Sequence, residues 1–513
     1  MLSESLNLYN MSRFQFLALA IFPLFCLAQK EDNTWITGAA SFNDDTFKIN
    51  YIRFTNDTFQ VDLVNKNIPI FCTLGIISDS TGNLICYTND IHIYNKNHEI
   101  LQNGNDLHSS AQFPFGYPFT QAAIILPLPD TQNVYLMLDA VHKDIGTDVI
   151  TERLRYSIID MNFNIGLGKV TQKKIILENS NDTLNIGMHT AIKHGNGKDW
   201  WTISTKYESN IHRKFLLTAE GIKFHDDQAI GETVYNGIGY AAFSPNGEWF
   251  ARYIVYGTTS NPKTAFYLYR FDRCSGQLSD PLHKLYQPPE YYGGVAFSPN
   301  SRFLYVAKYT KIYQYDLNAD DILASESLVA EYDGFLDGNG VPTRFFGLLL
   351  APDNKIYGIV PGFNTRYLHV IDQPNLPGDS CNVIQHAVYL PTDNFGTLPN
   401  VPFFRLYATE TPCDSNSSLV EPPPIPPINT DIRVWPVPAA DVLHFSADGL
   451  ADQLLCLQVF DAFGRPLMQH GNIRLSPVYS VSLDALPSGA YFYLLQNQEG
   501  RLLKSGRVVK TTH

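Results

Sequence analysis

Three stretches of this chain repeat one pattern: an apolar run, a turn built on proline and an asparagine or aspartate, and a second apolar run. Tyr240-Ala241-Ala242-Phe243 passes through Ser244-Pro245-Asn246-Gly247 to Trp249-Phe250-Ala251. Gly294-Val295-Ala296-Phe297 passes through Ser298-Pro299-Asn300-Ser301 to Phe303–Ala307, and Gly347–Leu350 passes through Ala351-Pro352-Asp353-Asn354 to Ile356–Gly358. Short apolar runs rich in aliphatic and aromatic residues read as strands, and Pro-Asn or Pro-Asp reads as a tight turn. A third strand follows each pair, at Ala265–Phe271, Lys311–Leu317 and Arg366–Ile371. Weaker copies lie upstream, where Gly75–Asp79 leads to Leu84–Tyr87, Ala122–Leu126 to Val134–Leu138, and Thr190–Lys193 to Trp200–Ser204.

The copies start near Gly75, Ala122, Thr190, Ala241, Val295 and Leu348. A repeat of about fifty residues, each with three or four strands, predicts an all-β β-propeller. A seventh blade is expected from the first strands after Trp35 joining the last ones near Phe403 to Tyr407, which closes the circle and leaves no free edge. The predicted fold class is therefore all-β: a seven-bladed β-propeller, followed by a small Ig-like β-sandwich. The sandwich is read from the short runs Val442–Phe445, Leu454–Phe460, Tyr479–Leu483, Tyr491–Leu495 and Leu502–Val509, separated by turn residues such as Asp448-Gly449, Phe463-Gly464 and Pro487-Ser488-Gly489. Pro436 and Pro438 cannot donate to a ladder, which places the entry strand at an edge.

The C-terminal segment carries four separated motifs in order: Val434-Trp435-Pro436-Val437-Pro438-Ala439, Asp461-Ala462-Phe463-Gly464-Arg465, Leu486-Pro487-Ser488-Gly489-Ala490-Tyr491, and Gly506-Arg507-Val508-Val509-Lys510. It resembles the C-terminal sorting domain of the type IX secretion system of Bacteroidetes. Pro436, Pro438, Gly464, Gly489 and Lys510 are the motif positions. Trp435 and Val437 depart from the Tyr and Asn usual in the opening motif, and Arg507 from the usual Lys. The resemblance implies export across the outer membrane by the type IX translocon, removal of the domain by its sorting peptidase, and a product released or held at the cell surface. The repeat region looks like the WD40-like and lactonase-like propellers of secreted Bacteroidetes proteins, most of all at Ile76–Leu101, with Ser78-Asp79-Ser80-Thr81-Gly82-Asn83 and Ile93-Tyr94-Asn95-Lys96-Asn97-His98. True WD40 signatures, Gly-His and Trp-Asp in each blade, are absent.

Arg13 precedes an apolar run from Phe14 to Ala28, ending Cys26-Leu27-Ala28 before Gln29. This reads as a signal peptide, with translation expected to start at Met11. No other run of about eighteen apolar residues occurs, so no transmembrane segment is expected in the mature chain. Pro422-Pro423-Pro424-Ile425-Pro426-Pro427 reads as a semi-rigid spacer. The expected organisation is a signal peptide over 1–28, a propeller over 29–413, a linker over 414–431 and a sorting domain over 432–513.

A net charge of −13 argues against nucleic acid or an anionic membrane surface as partner. With 44% hydrophobic and 17% charged residues the chain reads as folded. Export permits disulfides. Among the seven cysteines, Cys381 and Cys413 flank the end of the large domain and are the expected pair, Cys72 and Cys86 are not expected to face each other, and Cys274 and Cys456 are expected to be free and buried.

No HExxH, GxSxG, Walker loop or GxGxxG occurs. Asp316–Asp321 begins like a calcium loop but lacks Gly at the sixth position and Glu at the twelfth. Register across the repeats places Thr73, Gln121, His189, Tyr240, Gly294 and Gly347 at one mouth of the channel. That set holds no carboxylate, which disfavours a metal hydrolase; no catalytic residue, metal site or cofactor is expected. Gln121, His189 and Tyr240 are candidates to bind a ligand by hydrogen bonding and ring stacking. Two functions follow. One is a non-catalytic binding protein at the cell surface, with a protein or glycan ligand. The other is an extracellular lactonase-like or polysaccharide-active enzyme with its site in the channel. Carboxylates in the channel favour the enzyme, and an apolar or plugged channel favours the binding protein.

Overall fold

A computed structural model of the chain describes residues 29–38, 48–55, 58–146, 148–177, 183–258, 261–362, 365–409, 413, 432–447, 454–460, 466–475, 477–497 and 502–511. The expected signal peptide and proline-rich linker lie outside these residues. The chain divides into two compact units, Met1–Asp414 and Ser415–His513.

In the first unit the strands form consecutive antiparallel meanders. The first sheet holds Thr34–Gly38, Ile49–Thr55 and Thr58–Val64. The second holds Gly75–Ser78, Leu84–Thr88 and Ile93–Asn95. Four-stranded sheets follow. The third opens at Ala123–Pro127 and continues through Val134–Asp144, Val149–Asp160 and Lys169–Ile176. The fourth opens at Ala191–Lys193, the fifth at Ile238–Phe243, the sixth at Gly293–Phe297 and the seventh at Leu348–Leu350.

The Ser-Pro-Asn phrase recurs because its side chains build the turn. Ser244 Oγ donates to Asn246 Oδ1 at 2.6 Å and accepts from Trp249 N at 3.0 Å. Ser298 repeats this with Asn300 at 2.6 Å and Phe303 N at 2.9 Å. The strands on either side are buried on both faces, Phe303–Lys308 throughout its length, as expected where each sheet is packed between two others.

Apolar clusters join neighbouring sheets. Ile36 and Ile49 pack with Ile76 and Tyr87, joining the first and second sheets. Ile192, Trp201 and Ile203 pack with Phe250 and Ile254, joining the fourth and fifth. Ala296 and Tyr305 pack with Leu348 and Ile356, joining the sixth and seventh. Trp35, Ile52 and Phe54 pack with Tyr357, Ile359 and Leu390, bringing the seventh sheet back to the first. Trp35 meets Phe54 and Tyr357 edge-on at 4.8 and 5.7 Å, contacts worth about 0.5–1.5 kcal/mol each beyond area burial. The result is a closed, propeller-like ring.

Closure differs from the expectation. The segment after the last strand, Val383–Asn394, meets the first sheet at Phe395, whose N–H donates to Gly38 O at 2.9 Å. Asn50 clamps Thr392 through two bonds of 3.0 and 2.9 Å. Phe403 to Tyr407 add no strand there. They run on past the fourth and fifth sheets, where Lys193 Nζ donates to Phe404 O at 2.7 Å and Arg273 donates to Tyr407 O at 2.6 Å.

That path also corrects the disulfide. Cys413 pairs with Cys274, with Cα atoms 5.2 Å apart, not with Cys381. The chain leaves the seventh sheet and reaches the turn at Asp272–Gly276, so Cys274 meets it, bonded rather than free. Cys381 stays free and buried in the core between the sixth and seventh sheets. Cys72, Cys86 and Cys456 are free, and Cys456 is half-buried.

The described residues of the second unit form two sheets. One runs Ile432–Trp435, Val442–Ala447, Tyr479–Ser482 in spatial order, the other Pro466–Ile473, Leu455–Phe460, Gly489–Asn497, Leu502–Lys510. Leu455–Phe460 alternates buried and half-buried positions, the signature of a strand with one face on a core. Leu443, Phe445, Leu457, Val459, Val481, Tyr493 and Leu495 fill the space between the sheets.

Candidate functional site

The repeats do bring the predicted channel residues together. Gln121 stands just before the third sheet at φ 51° and reaches the fifth. Its amide donates to Ala241 O at 3.0 Å and accepts from Ala241 N at 2.8 Å. Tyr240 is buried, donates to Gly396 O at 3.4 Å, and meets Phe346 edge-on at 5.3 Å. Gly347 lies flat against that ring; a Cβ there would come within 2.7 Å of it, and one on Gly294 within 3.0 Å of Gly347. His189 is buried, with Nδ1 3.0 Å from Ser204 Oγ and Nε2 without a hydrogen-bond partner among the described residues. Burial, with Arg252 nearby, lowers its pKa to about 4, so it is neutral at pH 7.

The closing segment runs through this channel. Asn400 pairs with Gly75 in a parallel bridge, and its amide donates to Ala123 O at 2.9 Å and His189 O at 2.7 Å. Leu398 to Phe403 line the axial cavity beside Ala241, Phe243, Val295, Phe297 and Leu348. About 60 Å³ remains, room for a few waters against the roughly 300 Å³ or more of a usual ligand pocket. Among the described residues Asp32 is the one carboxylate in the lining, and Arg405 holds it at 2.7 Å.

A second polar cluster had no signature in the sequence. Asp90 follows the second sheet's middle strand, His108 lies on the long loop before the third sheet, and Asp139 and Arg155 pair across that sheet's strands. His108 Nε2 lies 3.5 Å from Asp90 Oδ2 and 3.6 Å from Asp139 Oδ2. Arg155 Nε donates to Asp139 at 2.8 Å, and its Nη2 bonds the same oxygen. Tyr117 stacks on His108 with centroids 4.0 Å apart and bonds His142 Nδ1 at 2.9 Å. Asp90 is wholly buried, and among the described residues neither of its carboxylate oxygens has a hydrogen-bond partner; Asp139 Oδ1 lacks one too. Burial, then the Asp139 charge, holds the Asp90 carboxyl well above the usual carboxylate range. These residues are scattered through the chain at no metal-ligand spacing, so only the fold reveals them.

In the second unit three of the four motifs converge. Ala439 bridges Lys510 in parallel, and Gly489 pairs with Lys510 on the neighbouring strand. Lys510 Nζ donates to Leu483 O at 2.7 Å and Leu486 O at 2.8 Å, closing the turn before Pro487. Tyr491 OH donates to Pro487 O at 2.6 Å. Pro436 and Pro438 are exposed beside this junction. Gly464 lies outside the described residues.

Residues 433–510 match the family profile of the secretion system C-terminal sorting domain. No curated protein matches the chain. Among solved structures the chain is similar to a 6-phosphogluconolactonase-like protein of Bacteroides uniformis, at 12% identity over 70% of this chain and 99% of that one, TM-score 0.41. It is also similar to a hypothetical selenium-binding protein of Sulfolobus tokodaii, at 8% identity over 72% and 96%, TM-score 0.43. A Lactobacillus plantarum protein matches at 12% identity over 72% and 97%, TM-score 0.40. The chain thus carries a type IX sorting domain, which directs export to the cell surface or the medium and engages the secretion machinery. No helix among the described residues is long and apolar enough to cross a membrane.

Proposed function

We propose that this chain is a seven-bladed propeller that acts as a non-catalytic binding protein at the cell surface, delivered by an Ig-like sorting domain that the sorting peptidase then removes. The observation that carries this reading is the filled axis: the segment Leu398 to Phe403 occupies the channel, and the remaining lining is apolar apart from Gln121, Thr190, Asn400, the Tyr240 hydroxyl and the paired Asp32. A hydrolase of the lactonase kind needs open polar groups converging on a substrate. Gln121 and Tyr240 spend their polar atoms on backbone carbonyls and amides, so we assign them, with Asn400, to bracing the closure. His189 Nε2 is the atom of the three left for a ligand.

The binding surface we favour is the mouth around the starts of the fifth and sixth sheets. Tyr235 and Tyr256 stack at 4.5 Å, and Ile238 and Tyr291 are 52% and 51% exposed. Flat exposed rings suit the apolar face of a sugar, which favours a surface glycan as ligand. The test uses the propeller over 29–413. It is expected to bind polysaccharide from its own cell surface, to lose most binding in a Tyr235→Ala, Tyr291→Ala double variant, and to hydrolyse neither lactones nor that polysaccharide. Turnover abolished by His189→Ala would overturn the reading in favour of an enzyme.

A further inference from the structure

We infer that the Arg344 guanidinium recognises a carboxylate on the ligand, so that the glycan held at the mouth carries acidic sugars spaced among neutral ones. This rests on the glycan reading above and narrows it to a substrate class.

The mouth extends from the starts of the fifth and sixth sheets to the start of the seventh. Tyr292, 37% exposed beside Tyr291, meets Tyr309 and Phe346 with ring centroids 5.6 and 5.1 Å apart. Tyr309 stands at the turn between Phe303–Lys308 and Lys311–Asp316 of the sixth sheet, and Tyr332 follows that sheet's last strand, Ser327–Glu331. Backbone bonds lock these turns together. Tyr309 N donates to Tyr292 O at 3.0 Å, Phe345 N to Tyr309 O at 2.7 Å, and Tyr332 N to Thr310 O at 2.8 Å. Arg344, just before Phe345, is thereby set against two phenol rings. Its Cζ lies 4.7 Å from the Tyr309 centroid and 5.6 Å from that of Tyr332, and Nη1 donates to Tyr309 OH at 2.6 Å. A guanidinium held this way by rings presents a pre-organised planar fork.

The charge on Arg344 is left unmatched. The side chain is half-buried. Among the described residues no carboxylate pairs with it, its guanidinium makes only the hydrogen bond to Tyr309, and Nε is buried without a partner. The acidic groups of the same turns are engaged elsewhere. Glu290 accepts from Thr310 N at 2.9 Å and lies 3.9 Å from Lys308 Nζ. Asp333 accepts from Phe335 N at 3.0 Å and pairs with His386 Nε2 at 2.8 Å. Idle donors on a partly buried cation are costly, and a carboxylate is the sugar substituent whose two oxygens match the guanidinium fork.

A second cation lies beside the Tyr235–Tyr256 stack. Lys263 is exposed, with Nζ 5.9 Å from the Tyr256 centroid, and it too pairs with no carboxylate among the described residues. The net charge of −13 gives the chain no general attraction for polyanions. Binding then depends on single cations placed among rings, which fits isolated uronate-type sugars rather than a densely charged polymer.

The test uses the full chain and polysaccharide from its own cell surface, before and after carbodiimide-assisted reduction of the carboxyl groups to alcohols, with affinity read by calorimetry. The parent should bind the reduced polymer more weakly by about tenfold or more, the scale of a lost hydrogen bond to a charged group. Arg344→Gln should bind both polymers alike, at the parent's affinity for the reduced one, and Arg344→Lys should fall between. Lys263→Gln should weaken binding about two- to threefold, as for an exposed charge. Should Arg344→Gln fail to fold, the parent's two affinities and Arg344→Lys decide. Equal affinity of the parent for native and reduced polymer overturns this inference and leaves the glycan reading in place. Binding that survives reduction yet is lost in Arg344→Gln overturns it too, by assigning Arg344 to another group of the ligand. Failure of the parent to bind the native polymer overturns both.

Discussion

The two units of this chain encode their roles in opposite ways. In the C-terminal unit the informative residues are short motifs that the fold gathers at one junction, Ala439, Pro487, Gly489 and Lys510. In the propeller-like unit the recurring phrases build turns and strands, while the polar residues of interest are single positions from distant sheets. The contrast teaches that a recurrent motif here reports architecture, and that chemistry has to be sought where polar atoms are left without partners.

The largest expected effect breaks the two units apart. Deleting residues 432–513 should abolish arrival at the cell surface and leave the first unit folded with its own melting transition, since each unit has its own core. Fractionation and calorimetry of the truncated chain check both halves of that statement.

Next comes the strap. The Cys274–Cys413 bond closes a stretch of 139 residues. Replacing both cysteines by serine should cost the first unit about 2–5 kcal/mol, seen as a lower melting temperature. Cys381→Ser should leave the disulfide intact, read by thiol counting under denaturing conditions.

In the second unit, Lys510→Ala removes the ammonium that holds the Leu483 and Leu486 carbonyls. A loss of about 1–3 kcal/mol is expected, confined to the C-terminal transition, with export reduced in step. An unchanged C-terminal melt with lost export would mean that Lys510 is read directly by the machinery.

The smallest effect concerns pH. Asp227 is held below the usual carboxylate range first by its hydrogen bonds from Arg213, at 2.8 Å each, against some desolvation. A depressed carboxylate contributes stability above its unfolded pKa, near 3.9, and loses it as pH falls through the folded value. Asp227→Asn should therefore destabilise the first unit by about 1 kcal/mol at pH 7, the pair being partly exposed, and progressively less below pH about 4. Denaturant titrations at both pH values read the difference.

What was legible follows from range. Ser244-Pro245-Asn246 and Ser298-Pro299-Asn300 announce their turns because their bonds lie within five residues, and the apolar runs beside them read as strands for the same local reason. The pattern points closure to Phe403 to Tyr407 rather than Phe395 to Asn400, because both stretches carry aromatic and aliphatic residues and only the backbone hydrogen bonds to Gly38 and Leu74 separate them. The partner of Cys413 depends on where the strap crosses, which no local pattern records. Register did gather Gln121, Tyr240, Gly294 and Gly347, but it carried no sign that Asn400 and its neighbours would fill the space between them. Asp90, His108 and Asp139 sit in a turn, a loop and a strand, and nothing but the fold joins them.

The division of labour between the units is tested most directly by transplanting the address. Residues 432–513 fused behind a signal peptide and a fluorescent protein, expressed in a type IX-competent host, should carry that protein across the outer membrane, where external protease reaches it in intact cells. Fluorescence that stays in the periplasm and is protected from protease would contradict the account and reduce the C-terminal unit to an accessory sandwich.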